Sequence, residues 1–125
     1  MGLDKSFFFD TYALYEVLHQ NPNYQEYSTD VSIITTKLQL MELHYILLRI
    51  YGKEEADRAF ERFKEFCVEI DDETIKQATT FRHKHHTRKL SYIDCIGYVL
   101  ARKYQVHFLT GDEQFKDFDG VKFVK

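Results

Sequence analysis

Short apolar runs alternate with longer helical patterns along this chain, and that alternation leaves few architectures open. "SFFF" (6–9), "VSIIT" (31–35), "VHFLT" (106–110) and "VKFV" (121–124) are short and rich in aromatic or β-branched residues, so each reads as a strand. "CVEI" (67–70) is a further short extended piece. Between them lie helical patterns. One runs from about Thr11 to Gln20, and a strongly apolar one, "TKLQLMELHYILLRIYG", ends at Gly52, a residue suited to follow a helix. "KEEADRAFERFKEFC" carries Ala56, Ala59, Phe60, Phe63 and Cys67 at helical spacing, with acids in its first turn. Asp71 or Asp72 caps a helix running through Ile75, Ala78 and Phe81 toward Arg88, and Ser91 caps "YIDCIGYVLARKY". "QNPNYQEYS" (20–28) reads as a loop. Strands alternating with helices predict a mainly parallel sheet covered on both faces, joined by right-handed crossovers. Ligands of such sheets bind beyond the carboxyl ends of the strands.

Composition narrows the class further. A chain of 125 residues, 44% hydrophobic with one proline, is a single domain (1–125) large enough to bury its own core. A formal net charge of -3 argues against wrapping nucleic acid by bulk attraction, though it leaves room for a local basic patch. The two cysteines, Cys67 and Cys95, make no disulfide framework and read as reduced thiols. No basic start precedes an apolar leader segment, and no apolar run approaches the ~20 residues of a membrane helix. The expectation is a soluble, cytoplasmic protein without a membrane partner.

Four carboxylates sit in awkward places. Asp10 ends the first apolar strand and Asp112 follows the strand "VHFLT", so both project from one edge of the sheet. Glu42 is the only formal charge between Lys37 and Arg49, and Asp94 the only one from Ser91 to Ala101. Each has a local explanation to weigh. Asp10 before Thr11 can cap the first helix, Asp94 three residues after Ser91 fits a capping box, and Asp112 after Gly111 suits a turn. Glu42 has the weakest local explanation, because no Lys or Arg stands within four residues of it. Taken together, the acids form a set that must be compensated by a cation if they cluster. An all-oxygen site suits Mg2+ or Mn2+, and its chemistry is phosphoryl transfer or phosphodiester hydrolysis.

The segments "FFFDTYAL", "TTKLQLMEL", "KLSYIDCIGYVLARKY", "VHFLTGDEQF" and "DGVKFV" resemble, in order and spacing, the PIN-domain ribonucleases, and most of all the VapC-type toxins of toxin–antitoxin pairs. The resemblance spans essentially the whole chain. It implies a three-layer α/β/α sandwich around a five-stranded parallel sheet. The family's acidic metal positions match Asp10, Glu42, Asp94 and Asp112, and its hydroxyl positions match Thr11 and Thr110, in supporting roles beside the acids. One or two Mg2+ or Mn2+ ions, an RNA substrate, a homodimer and a small antitoxin partner follow from the same resemblance. Gln114 departs from it, since many relatives carry an acid there, which bears on the second metal.

"RHKHHTRK" (82–89) is the densest positive run. Its Lys and Arg either offset the helix dipole or, as Arg82, Lys84, Arg88 and Lys89, contact the RNA backbone. His83 and His86 stand at a zinc-compatible spacing but lack further ligands, and Cys95 reads as a packing residue. Two other functions compete with a ribonuclease. A phosphatase would use Asp10 as nucleophile, but "FFFDTYA" lacks the second acid such chemistry wants. A catalytically silent PIN-like module would bind RNA or protein without cutting, and an RNA-processing nuclease need not be a toxin.

Overall fold

A computed structural model describes residues 5–125, so the first four residues of the expected domain lie outside it. The sheet contains β1 (Ser6–Phe9), β2 (Ser32–Ile34), β3 (His107–Thr110) and β4 (Val121–Phe123), in the order β2-β1-β3-β4. Every pairing is parallel. The short extended piece "CVEI" makes a single parallel bridge between Thr35 and Cys67. The Thr35 N–H donates to the Phe66 carbonyl and the Val68 N–H to the Thr35 carbonyl, after which the chain leaves the sheet for the next helix. The family resemblance implied five strands; the described residues form four and this vestige.

Among the described residues five α-helices cover the sheet: α1 (Thr11–Leu18), α2 (Lys37–Tyr51), α3 (Lys53–Phe63), α4 (Asp72–Lys84) and α5 (Tyr92–Lys103). Strand side chains alternate between faces, and the two cores follow that alternation. Phe9 and Leu109 pack with Leu14, Leu40, Leu43, Leu47 and Phe63 of α1, α2 and α3. Phe8 and Phe108 pack on the opposite face with Cys95, Leu100 and Ala101 of α5 and Ala78 of α4. The result is a three-layer α/β/α sandwich. None of its helices is long and apolar enough to cross a membrane among the described residues.

Three local details differ from the sequence expectation. The loop "QNPNYQEYS" forms a 3-10 turn over Pro22–Tyr27, capped by Asn21, and it buries Tyr24 and Tyr27 in the α1–α2–α3 core. Helix α4 stops at Lys84 instead of reaching toward Arg88, because His85 leaves helical geometry at ψ 36°. Helix α1 stops at Leu18, and Gln20 takes a positive φ of 59°.

Helix α5 lies close against the sheet at Gly97. A methyl group there would meet the Phe8 ring and Gln39 Nε2 at 2.8 Å and the Phe108 ring at 3.0 Å. Gly97→Ala is therefore expected to lower stability by about 1–3 kcal/mol through overpacking, although alanine is the better helix former, and urea unfolding measures it.

Candidate active site

Strand order sets the position of the site. The chain passes from β1 to β2 on one side and later places β3 and β4 on the other, so β1 and β3 flank the switch point where open parallel sheets bind ligands. Phe9 of β1 pairs with Leu109 of β3, and the Asp10 N–H continues the ladder to the Leu109 carbonyl. Asp10 and Thr110 thus emerge side by side at the carboxyl end of the sheet. The Thr110 hydroxyl donates to Asp10 Oδ2 and accepts from the Asp112 N–H at 3.0 Å.

Asp10 also caps α1, its Oδ1 accepting from the Ala13 N–H at 2.8 Å. Asp94 and Ser91 form the capping box of α5, with Asp94 Oδ2 accepting from the Ser91 N–H. Asp112 caps the 3-10 turn Glu113–Phe115 through the Gln114 N–H. Every local explanation suggested for these three aspartates is realised. Glu42 is held differently: the Thr11 hydroxyl donates to its Oε1 at 2.6 Å, and no cap is involved.

The caps do not remove the electrostatic problem. Asp10 is 3% exposed, and burial pushes its carboxyl up to about 8 against the opposing pull of Thr110 and Ala13, with the charges of Asp94 and Asp112 adding to the rise. Asp94 is raised to about 6, first by burial and then, despite its Ser91 bonds, by Asp112 and Glu42. Asp10 thus senses Asp94 and Asp112, and Asp94 senses Asp112 and Glu42. Among the described residues none of the four forms an ion pair with Lys, Arg or His. No three acid, His or Cys side chains among the described residues are gathered tightly enough to close a metal shell as they stand. The donor set still fits a hard divalent ion: all oxygen, buried at Asp10 and half-buried at Glu42, Asp94 and Asp112, and without a counter-cation among the described residues.

One contributor escaped the sequence reading. Gln39, 1% exposed, donates from Nε2 to the Ile93 carbonyl at 3.0 Å, and its Oε1 accepts from the Thr36 hydroxyl. It ties α2 to the residue preceding Asp94. Its signal was a lone amide in the apolar run "KLQLMEL", one turn before Glu42. Gly111 is a second contributor. A Cβ there would stand 2.2 Å from the Tyr12 ring, so the chain between Thr110 and Asp112 passes directly against α1.

The basic segment is divided by the fold. Arg88 grips the Gln114 carbonyl at 2.7 Å and Asp117 at 3.1 Å, with its guanidinium over the Phe118 ring, so it secures the loop after Asp112. Lys84 and Lys89 are exposed. Arg82 is half-buried and donates from Nε to the Leu90 carbonyl at 2.9 Å. His83 and His86 stack on each other and gather no further metal ligand among the described residues, while Cys95 is fully buried as a packing residue.

A family model described as PIN domain matches residues 7–121. The chain belongs to the PIN-domain family. Solved structures similar to this PIN domain include VapC20 of Mycobacterium tuberculosis, a sarcin–ricin-loop-cleaving toxin. That likeness has a TM-score of 0.79 at 18% identity, over 95% of this chain and 99% of the other. A toxin–antitoxin complex from Klebsiella pneumoniae matches with a TM-score of 0.70 at 16% identity, over 92% of this chain and 94% of the other. A DNA-bound VapBC from Salmonella typhimurium matches at 0.69 and 17% identity, over 94% and 96%. At such identities the likeness is one of fold. No curated protein matches the sequence.

The raised carboxyls of this PIN domain give a signed pH dependence. Because Asp10 and Asp94 hold protons more tightly folded than unfolded, stability falls as pH rises from about 4 to about 8 in metal-free protein. Asp10→Asn keeps a capping oxygen and removes the buried charge, so it is expected to flatten that slope. Urea unfolding in EDTA at pH 5 and pH 8 measures the difference.

Proposed function

We propose that this PIN domain is a divalent-metal-dependent endoribonuclease, the toxin of a toxin–antitoxin pair. The observation that carries the reading is Asp10, buried at the switch point of the sheet without a cation partner among the described residues and raised in part by the charges of Asp94 and Asp112, within the PIN fold. Asp10, Asp94 and Asp112 would hold Mg2+ or Mn2+, with Glu42 completing the site or serving as base. A bound ion would supply Lewis acidity toward the scissile phosphate and lower the pKa of water there. Thr110 orients Asp10, and Thr11 orients Glu42 through Oε1, leaving Oε2 to accept the proton of the attacking water. Hydrolysis in this sense leaves a 3′-hydroxyl and a 5′-phosphate. Gln39 fixes α2 against α5, so that Glu42 and Asp94 keep their relative positions.

The partner follows the same reading. A groove of about 840 Å3 opens beside Thr11 and Glu42 and is lined by Tyr12, Tyr15, Met41, Tyr45 and Ile46. Its apolar wall suits a segment of a small antitoxin, and two of the similar solved structures are a toxin–antitoxin complex and a VapBC assembly. A homodimer and a cytoplasmic location belong to the same proposal.

Labelled single-stranded RNA incubated with the protein in Mn2+, Mg2+ or EDTA tests the reading. Cleavage is expected with either metal, none with EDTA, and a loss of at least about 100-fold in Asp94→Asn and in Glu42→Gln. Intact RNA in all arms, with no metal binding by calorimetry, would leave a silent binding module in its place.

A second expectation concerns Gly111. Gly111→Ala forces Tyr12 aside and displaces Asp112, so metal affinity by calorimetry is expected to weaken about 10- to 100-fold, as when a metal site loses its supporting shell.

A further inference from the structure

The first turn of α5 carries Asp94 inward and Tyr92 outward. Tyr92 is 60% exposed, the joint highest among the large hydrophobic side chains that face solvent. Burial would hide such a ring, and no other ring packs against it among the described residues. One face is nevertheless covered: the Arg82 guanidinium lies 4.3 Å from the ring centroid. Arg82 is fixed in that position by its Nε bond to the Leu90 carbonyl, two residues before Tyr92.

The terminal nitrogens of Arg82 have no hydrogen-bonding partner among the described residues. No carboxylate lies within ion-pairing distance of Arg82 among the described residues. Arg88, a few residues away, is by contrast engaged by Asp117 and Gln114. A half-buried guanidinium held behind an exposed tyrosine, 4.3 Å from its ring centroid, is a backed stacking platform. The guanidinium stiffens the ring and keeps donors free at its edge, while the opposite ring face stays open. Tyr92 and Asp94 share the first turn of α5, about 3 Å apart along its axis and on different faces, so the platform stands at the end of the helix that carries Asp94.

We propose that Tyr92 and Arg82 form a subsite for one unpaired nucleotide of the RNA. The base stacks on the open face of Tyr92, and the terminal nitrogens of Arg82 take the neighbouring phosphate. The subsite rests on the ribonuclease reading and adds a determinant of where the strand lies over the acids. Because the base must leave its helix to stack, the platform selects loops and single strands over duplex.

Binding of a fluorescein-labelled single-stranded RNA to the full chain tests this by anisotropy, in the cleavage-blocked Asp94→Asn background with Mg2+. Tyr92→Ala is expected to weaken binding roughly 5- to 100-fold. Tyr92→Phe should restore affinity, and Tyr104→Ala, which alters an exposed tyrosine just past the opposite end of α5, should leave it unchanged. A scan of abasic nucleotides along the RNA should reveal one position where base loss weakens the parent but not Tyr92→Ala. Equal affinities of parent and Tyr92→Ala, an identical abasic profile in both, or no binding of RNA by the parent would overturn the subsite. The two readings separate cleanly. Tyr92-dependent binding without metal-dependent cleavage by the unsubstituted protein keeps the subsite and removes the nuclease. Cleavage that ignores Tyr92 does the reverse.

Discussion

The hydroxyl of Thr110 is the joint on which the site is built. It donates to Asp10, which ends β1 and caps α1, and it accepts from the N–H of Asp112, which opens the next turn. One side chain thereby couples two neighbouring parallel strands, a helix N-terminus and a loop. The pairing of Phe9 with Leu109 brings these groups into register, so the geometry of the acids is inherited from the central strand ladder. Glu42 and Asp94 stand on helices α2 and α5, which pack on opposite faces of the sheet. Gln39 joins those helices through the Ile93 carbonyl.

A tension between folding and charge runs through this arrangement. Burial and mutual repulsion make ionisation of Asp10 and Asp94 unfavourable, while caps and hydroxyl donors pull the other way. The donors are local and neutral, so they orient the carboxylates without neutralising them. A ligand that brings positive charge is therefore the natural complement of the fold. The rest of the chain supplies a rigid frame, with phenylalanines on both faces of the sheet and helix α5 pressed against it at Gly97.

Much of this was legible in the residues. The β-branched and aromatic runs marked β1 to β4, and Ser91, Asp71 and Gly52 marked helix ends because caps are local chemistry. Tyr24 and Tyr27 were hidden in a segment whose Asn-Pro-Asn composition speaks only of a turn, since their burial depends on α1 and on the distant Val124 carbonyl. The extended piece "CVEI" stays outside the strand ladder because it gains only one partner, Thr35, before α4 begins. Arg88 looked like a free cation in sequence. Asp117, which engages it, lies 29 residues away, and such distances are invisible to local patterns. Gln39 was passed over for a similar reason: an amide in an apolar helix announces a partner without naming it.

Three of the four acids serve also as helix or turn caps, and this has an evolutionary side. Asparagine keeps the capping oxygen and the size of aspartate while discarding the charge, and the two residues differ by one base in their codons. Loss of the charge is thus one mutational step from the parent, and the capping oxygen survives that step. A lineage carrying such a domain can retire its acidic chemistry without losing the protein, keeping its surfaces and grooves for whatever they bind.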